Sequence, residues 1–157
     1  GGGNSGFQEG LFLSRYAKRV TIVEFLPEVK ASKLLQNKVA EQPDMRVVTN
    51  HAIQGFQANR GKLAGVEVLD RATNEVQIWH PDGVFIFAGL SPNSDFVPPS
   101  VERDRWGFVV TGNNLETTMP GVFAAGDVRA GSTKQAAAAA GEGATAALMI
   151  REYLHGQ

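Results

Sequence analysis

The chain has 157 residues, 43% hydrophobic and 20% charged, with a net charge of −1, so it can bury a globular core but offers nucleic acid or an anionic membrane no bulk attraction. It contains no cysteine, which excludes disulfides, thiolate metal ligands and a redox dithiol within these residues. No apolar run approaches the roughly 20 residues that span a bilayer and no signal-peptide pattern opens the chain, so the expected setting is cytoplasmic, without membrane.

The first residues, Gly1-Gly2-Gly3-Asn4-Ser5-Gly6, lead into a helical pattern over about residues 4–18, with Phe7, Leu11, Phe12 and Leu13 on its apolar side. Residues 20–24 form a β-branched run that predicts a buried strand, and residues 31–40 predict a second helix. Three β-like stretches follow: residues 46–49 with 52–57, then 63–69, then 75–79. Their alternation and the Asn59-Arg60-Gly61 turn signal predict an antiparallel meander. Residues 84–88 predict another buried strand, ended by Gly89. Short strands are expected at 108–110 and 122–125, and a long alanine-rich helix from 134 to about 154. Gly141 and Gly143 in that helix read as close-packing positions.

Gly1, Gly3 and Gly6 satisfy G-x-G-x-x-G at the start of a helix. In that pattern the first glycine permits a tight turn, and the second lets backbone approach a pyrophosphate. The third lets helix pack on sheet, with the helix N-terminus facing the anion. A flexible glycine linker would satisfy the same pattern. The context that gives it meaning is an acidic residue about 20 residues on, at the end of the next strand, and Glu24 stands there. The strand that normally leads into the motif is not in the sequence, which implies a truncated first domain.

Glu24 bears on cofactor choice. A carboxylate accepts hydrogen bonds from the adenine-ribose hydroxyls and repels a 2′-phosphate. Phe25, Leu26 and Pro27 follow it, and Lys30 is the nearest cation in sequence, so NADH is favoured over NADPH. The alternative for Glu24 is a solvated acid at a strand end. Further on, residues 121–127 place a short apolar run before Gly126-Asp127, and Lys134, Gln135 and Ala136 open the last helix. An aspartate at a strand's carboxyl end suits a ribityl hydroxyl, and a helix N-terminus suits the edge of a reduced flavin. The plainer reading of Asp127 is a turn-forming residue.

His51, His80 and His155 have no evident partner, and neither a Ser-His-Asp pattern nor metal-ligand spacing is present. No catalytic acid, base, nucleophile or metal ligand is therefore assigned. Trp79, Trp106 and Phe108 read as core or interface residues.

Taken together, these residues resemble the thioredoxin reductase-like FAD/NAD(P)H pyridine nucleotide-disulfide oxidoreductases. The carriers are Gly1 to Gly6, the strand ending at Glu24, Gly89-Leu90-Ser91-Pro92-Asn93, Gly121 to Asp127, and Lys134-Gln135-Ala136, all in family order. Residues 23–31 look most like the flavoprotein subunit of alkyl hydroperoxide reductase, an NADH-using relative. The resemblance implies an α/β, Rossmann-like three-layer nicotinamide domain lacking its first strand, residues 1–88, and the C-terminal part of an FAD domain, residues 89–157. It implies FAD and NADH as cofactors, held by Gly1, Gly3, Asn4, Ser5, Gly6, Glu24, Lys30, Gly89, Gly126, Asp127, Lys134, Gln135 and Ala136. It also implies a missing N-terminal half of the same reductase, a homodimer, and a thioredoxin-like or peroxiredoxin-type acceptor. The family's Cys-x-x-Cys is not in this sequence. Two alternatives therefore stand beside the disulfide reductase: a dithiol-free ferredoxin or flavodoxin reductase-like protein, and a nucleotide-binding fragment without turnover.

Overall fold

The structure, a computed structural model, describes residues 1–156. The chain divides into two compact units, Gly1–Gly89 and Leu90–Gln157.

In the first unit, α1 (Asn4–Leu13) precedes β1 (Val20–Val23), and α2 (Lys33–Ala40) crosses over to β2 (Met45–Val48). The two strands run parallel, Val20 opposite Met45 and Val23 opposite Val48. Parallel neighbours need such a crossover, and α2 provides it. Phe7 of α1, Ile22 of β1, Ala31 just before α2 and Val39 of α2 form the buried core between helices and strands, with Leu11, Val29, Leu35 and Met45 packed against it. A meander of β3 (His51–Asn59), β4 (Lys62–Asp70) and β5 (Glu75–Trp79) follows, antiparallel throughout. Between Asn59 and Lys62 the two-residue loop has φ of +48° at Arg60 and +74° at Gly61, the double left-handed conformation whose twist matches a hairpin.

Four expectations in this unit are corrected. α1 ends at Leu13, not near residue 18. The Ser14 hydroxyl donates to the Leu11 carbonyl (2.9 Å), and the Arg15 and Tyr16 amides reach back only three residues, so the helix tightens and stops. Phe12 is not on the core face; it is half exposed beside Tyr16 and under the Arg15 guanidinium. Residues 46–49 belong to β2, parallel to β1, rather than to the meander, because Asn50 at φ +57° breaks the chain before β3. Residues 84–88 form no strand. Their apolar side chains fit a buried strand, but no described segment supplies a ladder to them, and Phe85 and Ile86 stand exposed.

Among the described residues the second unit holds turns, a short 3₁₀ segment and one α-helix, α3 (Ala136–His155). Val101, Val109, Leu115 and Ala146 are its buried apolar residues, and the buried Ser94 hydroxyl donates to the Gly107 carbonyl at 2.7 Å. The strands expected at 108–110 and 122–125 reduce to single bridges, Val109 with Arg103 and Arg129, and Phe123 with Glu116. Left-handed glycines at 107, 121 and 126 and left-handed Leu115 interrupt the chain too often for a ladder to extend. Gly141 and Gly143 do not mark close packing, since a Cβ on either meets no neighbour within 4 Å. Among the described residues no helix is long and apolar enough to cross a membrane.

Candidate functional site

The glycine-rich opening is a pinned corner. The Gly1 amine donates to the Val23 carbonyl (2.9 Å), and the Gly2 carbonyl accepts from the amides of Lys30 (3.0 Å) and Ala31 (2.9 Å). Asn4 Oδ1 accepts from the Ser32 amide at 2.8 Å, tying the start of α1 to the start of α2. The three motif glycines answer to different constraints. A Cβ on Gly1 would collide with the Phe87 carbonyl, and one on Gly6 with the Gly1 carbonyl. Gly3 faces open space. It is the N-cap of α1 with extended backbone (φ −86°) and no side-chain cap, so the first-turn amides, including those of Asn4 and Ser5, are left for an outside acceptor.

Glu24 stands at the rim of this corner. One carboxylate oxygen accepts the Gly2 N–H at 2.5 Å and the other accepts the Leu26 N–H at 2.9 Å. A carboxylate has about four acceptor positions, so two remain for ligand hydroxyls. Lys30 takes part through its backbone, and its side chain is exposed. Arg71, which sequence distance hid, lies beside Phe25: its guanidinium is 3.8 Å from the ring centroid, and Nη1 donates to the Phe25 carbonyl at 2.7 Å. Both partners are uncharged, so the guanidinium keeps its positive charge on the residue next to Glu24.

In the second unit the 3₁₀ turn Gly126–Val128 precedes α3. Gly126 has φ +78° and lies against Ala139 of α3, where an added Cβ would meet the Ala139 Cβ at 3.2 Å. Only glycine fits both conditions without strain. Asp127 is exposed, and its carboxylate makes no hydrogen bond among the described residues. Gln135 is the N-cap of α3 without a side-chain cap, which leaves the amides of Ala136 and the following first-turn residues open. Lys134 is left-handed (φ +59°); its ammonium donates to the Arg129 carbonyl at 2.5 Å and sits 4.0 Å from the Phe108 ring centroid. Gly89, at φ +105°, has open space around it.

Sequence inspection alone does not single out Arg129 and Glu142. They form a salt bridge of 2.7 Å, and Glu142 also accepts the Gly126 N–H at 2.7 Å. Arg129 holds the Glu142 carboxyl well below the usual carboxylate range, at about 2, with the Gly126 amide adding to the effect. The only sequence signals were an arginine two residues after Asp127 and a glutamate between two helical glycines.

The histidines at 51 and 80 are structural. His51 Nδ1 meets the Thr49 carbonyl at 2.6 Å and His80 Nδ1 the Ala64 carbonyl at 2.7 Å. Trp106 is exposed under the Arg105 guanidinium rather than in a core, whereas Trp79 packs beside His51 and Arg46. No cluster of metal-ligating side chains occurs among the described residues.

Residues 1–143 match the family model described as pyridine nucleotide-disulphide oxidoreductase. A protein named NADH dehydrogenase from Ferdinandcohnia aciditolerans is 39% identical over 98% of this chain, and a subunit of alkyl hydroperoxide reductase from Escherichia coli is 36% identical over 98%. The chain spans 30% of the length of each. Among solved structures, thioredoxin reductase of Lactococcus lactis superposes with a TM-score of 0.86 at 28% identity, over 99% of this chain and 52% of that one. Thioredoxin reductase of T. acidophilum gives 0.82 at 35% identity, over 97% and 50%. The α/β fold is thus that of the thioredoxin reductases. The chain belongs to the pyridine nucleotide-disulphide oxidoreductase family.

Proposed function

We propose that this chain is the nicotinamide-binding region, residues 1–88, and the C-terminal flavin-binding segment, residues 89–157, of an NADH-dependent flavoprotein reductase. The observation that carries the reading is the placement of Glu24, whose carboxylate is fixed by the Gly2 and Leu26 amides at the edge of the glycine corner. Gly3 leaves room for a pyrophosphate, the amides of Asn4, Ser5 and Gly6 point at it, and Glu24 accepts from the adenine ribose. A 2′-phosphate would be brought against that carboxylate, so NADH is the preferred donor.

In the second unit the residues fit a flavin dinucleotide. Gly126 lets a ligand run close to the backbone, Asp127 offers an unpaired carboxylate to a ribityl hydroxyl, and the α3 amides face a developing negative charge. Bound flavin supplies a hydride acceptor and a route for electrons to a disulfide. The chain's own residues bind and orient, and none acts as acid, base or nucleophile. Relatives named as a subunit of alkyl hydroperoxide reductase and as thioredoxin reductase support a thioredoxin-like or peroxiredoxin-type disulfide as acceptor, and those named NADH dehydrogenase support the choice of donor. The remaining half of the reductase and a homodimeric assembly belong to the same proposal. The test is NADH oxidation by the flavin-loaded whole reductase that contains this chain, with a disulfide acceptor present, counting thiols as they appear. Thiols formed in step with NADH consumed support the reading. NADH consumed with oxygen alone as acceptor would remove the disulfide from it.

A further inference from the structure

The polar cluster around Glu142 ties together parts of the second unit that lie apart in the sequence. One Glu142 oxygen accepts both the Gly126 N–H (2.7 Å) and Arg129 Nε (3.0 Å), and the other accepts Arg129 Nη2 (2.7 Å). Arg129 Nη1 donates to the Ala130 carbonyl at 3.0 Å, and the Arg129 carbonyl accepts the Lys134 ammonium at 2.5 Å. Both side chains of the pair are 17% exposed, so water competes little for these bonds. A carboxylate in the second turn of α3 therefore fastens Gly126 directly. Through Arg129 it also reaches Lys134, the last residue but one before the helix.

Asp127 lies between the two fastened residues, with its own carboxylate exposed. Its direction depends on the turn from Gly126 to Val128, which is left-handed at its first residue and is sealed against Ala139. If the fastening is released, the turn is free to move away from α3. Asp127 and the helix amides would then no longer face one ligand.

We propose that Arg129 and Glu142 are positioning residues that set the Gly126–Asp127 turn against the N-terminus of α3 for a flavin dinucleotide, without touching it. This rests on the flavin reading above. A purely structural ion pair would support the fold equally with and without ligand, so the distinguishing quantity is ligand-dependent.

The experiment uses the whole reductase that contains this chain and measures the FAD dissociation constant together with the rise in melting temperature that added FAD gives. Glu142→Gln should weaken FAD at least tenfold and shrink the FAD-dependent rise. Arg129→Lys, the milder variant, should weaken it less. The double variant should be no weaker than Glu142→Gln alone, because both changes release the same fastening. Glu142→Asp should recover part of the loss. Asp127→Asn is run alongside as the check on the flavin reading. If Asp127→Asn weakens FAD while both Glu142→Gln and Arg129→Lys stay within twofold of the parent, the positioning role is overturned. It is overturned equally if those two variants lower the melting temperature without altering the FAD-dependent rise. If Asp127→Asn itself leaves FAD unchanged, the flavin reading fails instead.

Discussion

Replacing Glu24 by glutamine tests stability and cofactor choice in one protein. In the parent, each carboxylate oxygen accepts one backbone amide, from Gly2 at 2.5 Å and from Leu26 at 2.9 Å. Glutamine has one oxygen, so one of the two amides would face an NH2 group. Losing one hydrogen bond to a charged, half-buried acceptor costs about 1.5–3 kcal/mol. For a chain of this size that lowers the melting temperature by roughly 3–12 °C. Cofactor choice should move separately. A 2′-phosphate within about 5 Å of the carboxylate meets on the order of 3 kcal/mol of repulsion per unit charge at an effective dielectric constant near 20. Neutralising Glu24 should therefore improve NADPH binding relative to NADH by about 10- to 100-fold after screening, while NADH itself binds more weakly. The assay is thermal unfolding together with dissociation constants for both nucleotides. A Glu24→Gln variant with an unchanged melting temperature and an unchanged NADH-to-NADPH ratio would mean that Glu24 neither anchors the corner nor selects the nucleotide.

The glycines of the first motif should separate fold from binding. Gly6→Ala drives a methyl into the Gly1 carbonyl and should destabilise the protein by about 2 kcal/mol or more in denaturant titration. Gly3→Ala meets nothing in the protein and has ordinary extended backbone, so stability should stay within about 0.5 kcal/mol while NADH binding falls, read by nucleotide fluorescence. Gly61→Ala, at φ +74° in the β3–β4 turn, should cost about 1 kcal/mol without affecting either cofactor, as chemical denaturation will show. The Glu142 carboxyl is depressed from 4.5 to about 2 in the folded chain, chiefly by Arg129. A depressed carboxyl stabilises above its unfolded value and loses that contribution as pH falls through the folded one. Stability should thus fall as pH drops from about 4.5 to 2, by an amount that solvent screening of the pair reduces. Glu142→Gln should flatten that part of the pH–stability curve.

Local signals in the sequence went far where one residue type had one physical role. The two-residue turn at Arg60-Gly61, the helix α2 that follows β1, and the long α3 all follow from turn chemistry, hydrophobic period and alanine content. The motif glycines at 1 and 6 likewise sit where backbone crowding excludes a side chain. What was not legible depended on partners distant in sequence. Residues 84–88 are apolar enough for a strand, yet strand formation needs a neighbouring ladder, which composition cannot report. The separation of β2 from the meander turned on one left-handed residue, Asn50. In the candidate site, Glu24 was readable from its spacing, but its bonds to Gly2 and Leu26 were not. Arg71 meets Phe25 across 46 residues, and Arg129 meets Glu142 across 13. Neither pair has a periodic spacing that sequence inspection detects.

In the proposed reductase, NADH delivers hydride to a flavin that this chain helps to hold. Anaerobic titration of the flavin-loaded whole reductase with NADH and, separately, with NADPH, following the visible flavin band, measures that transfer. The flavin band should bleach with about one equivalent of NADH and much more slowly with NADPH. Equal bleaching by the two nucleotides would contradict the role given to Glu24. A whole reductase containing this chain that takes up no flavin on reconstitution with FAD would contradict the flavoprotein reading itself.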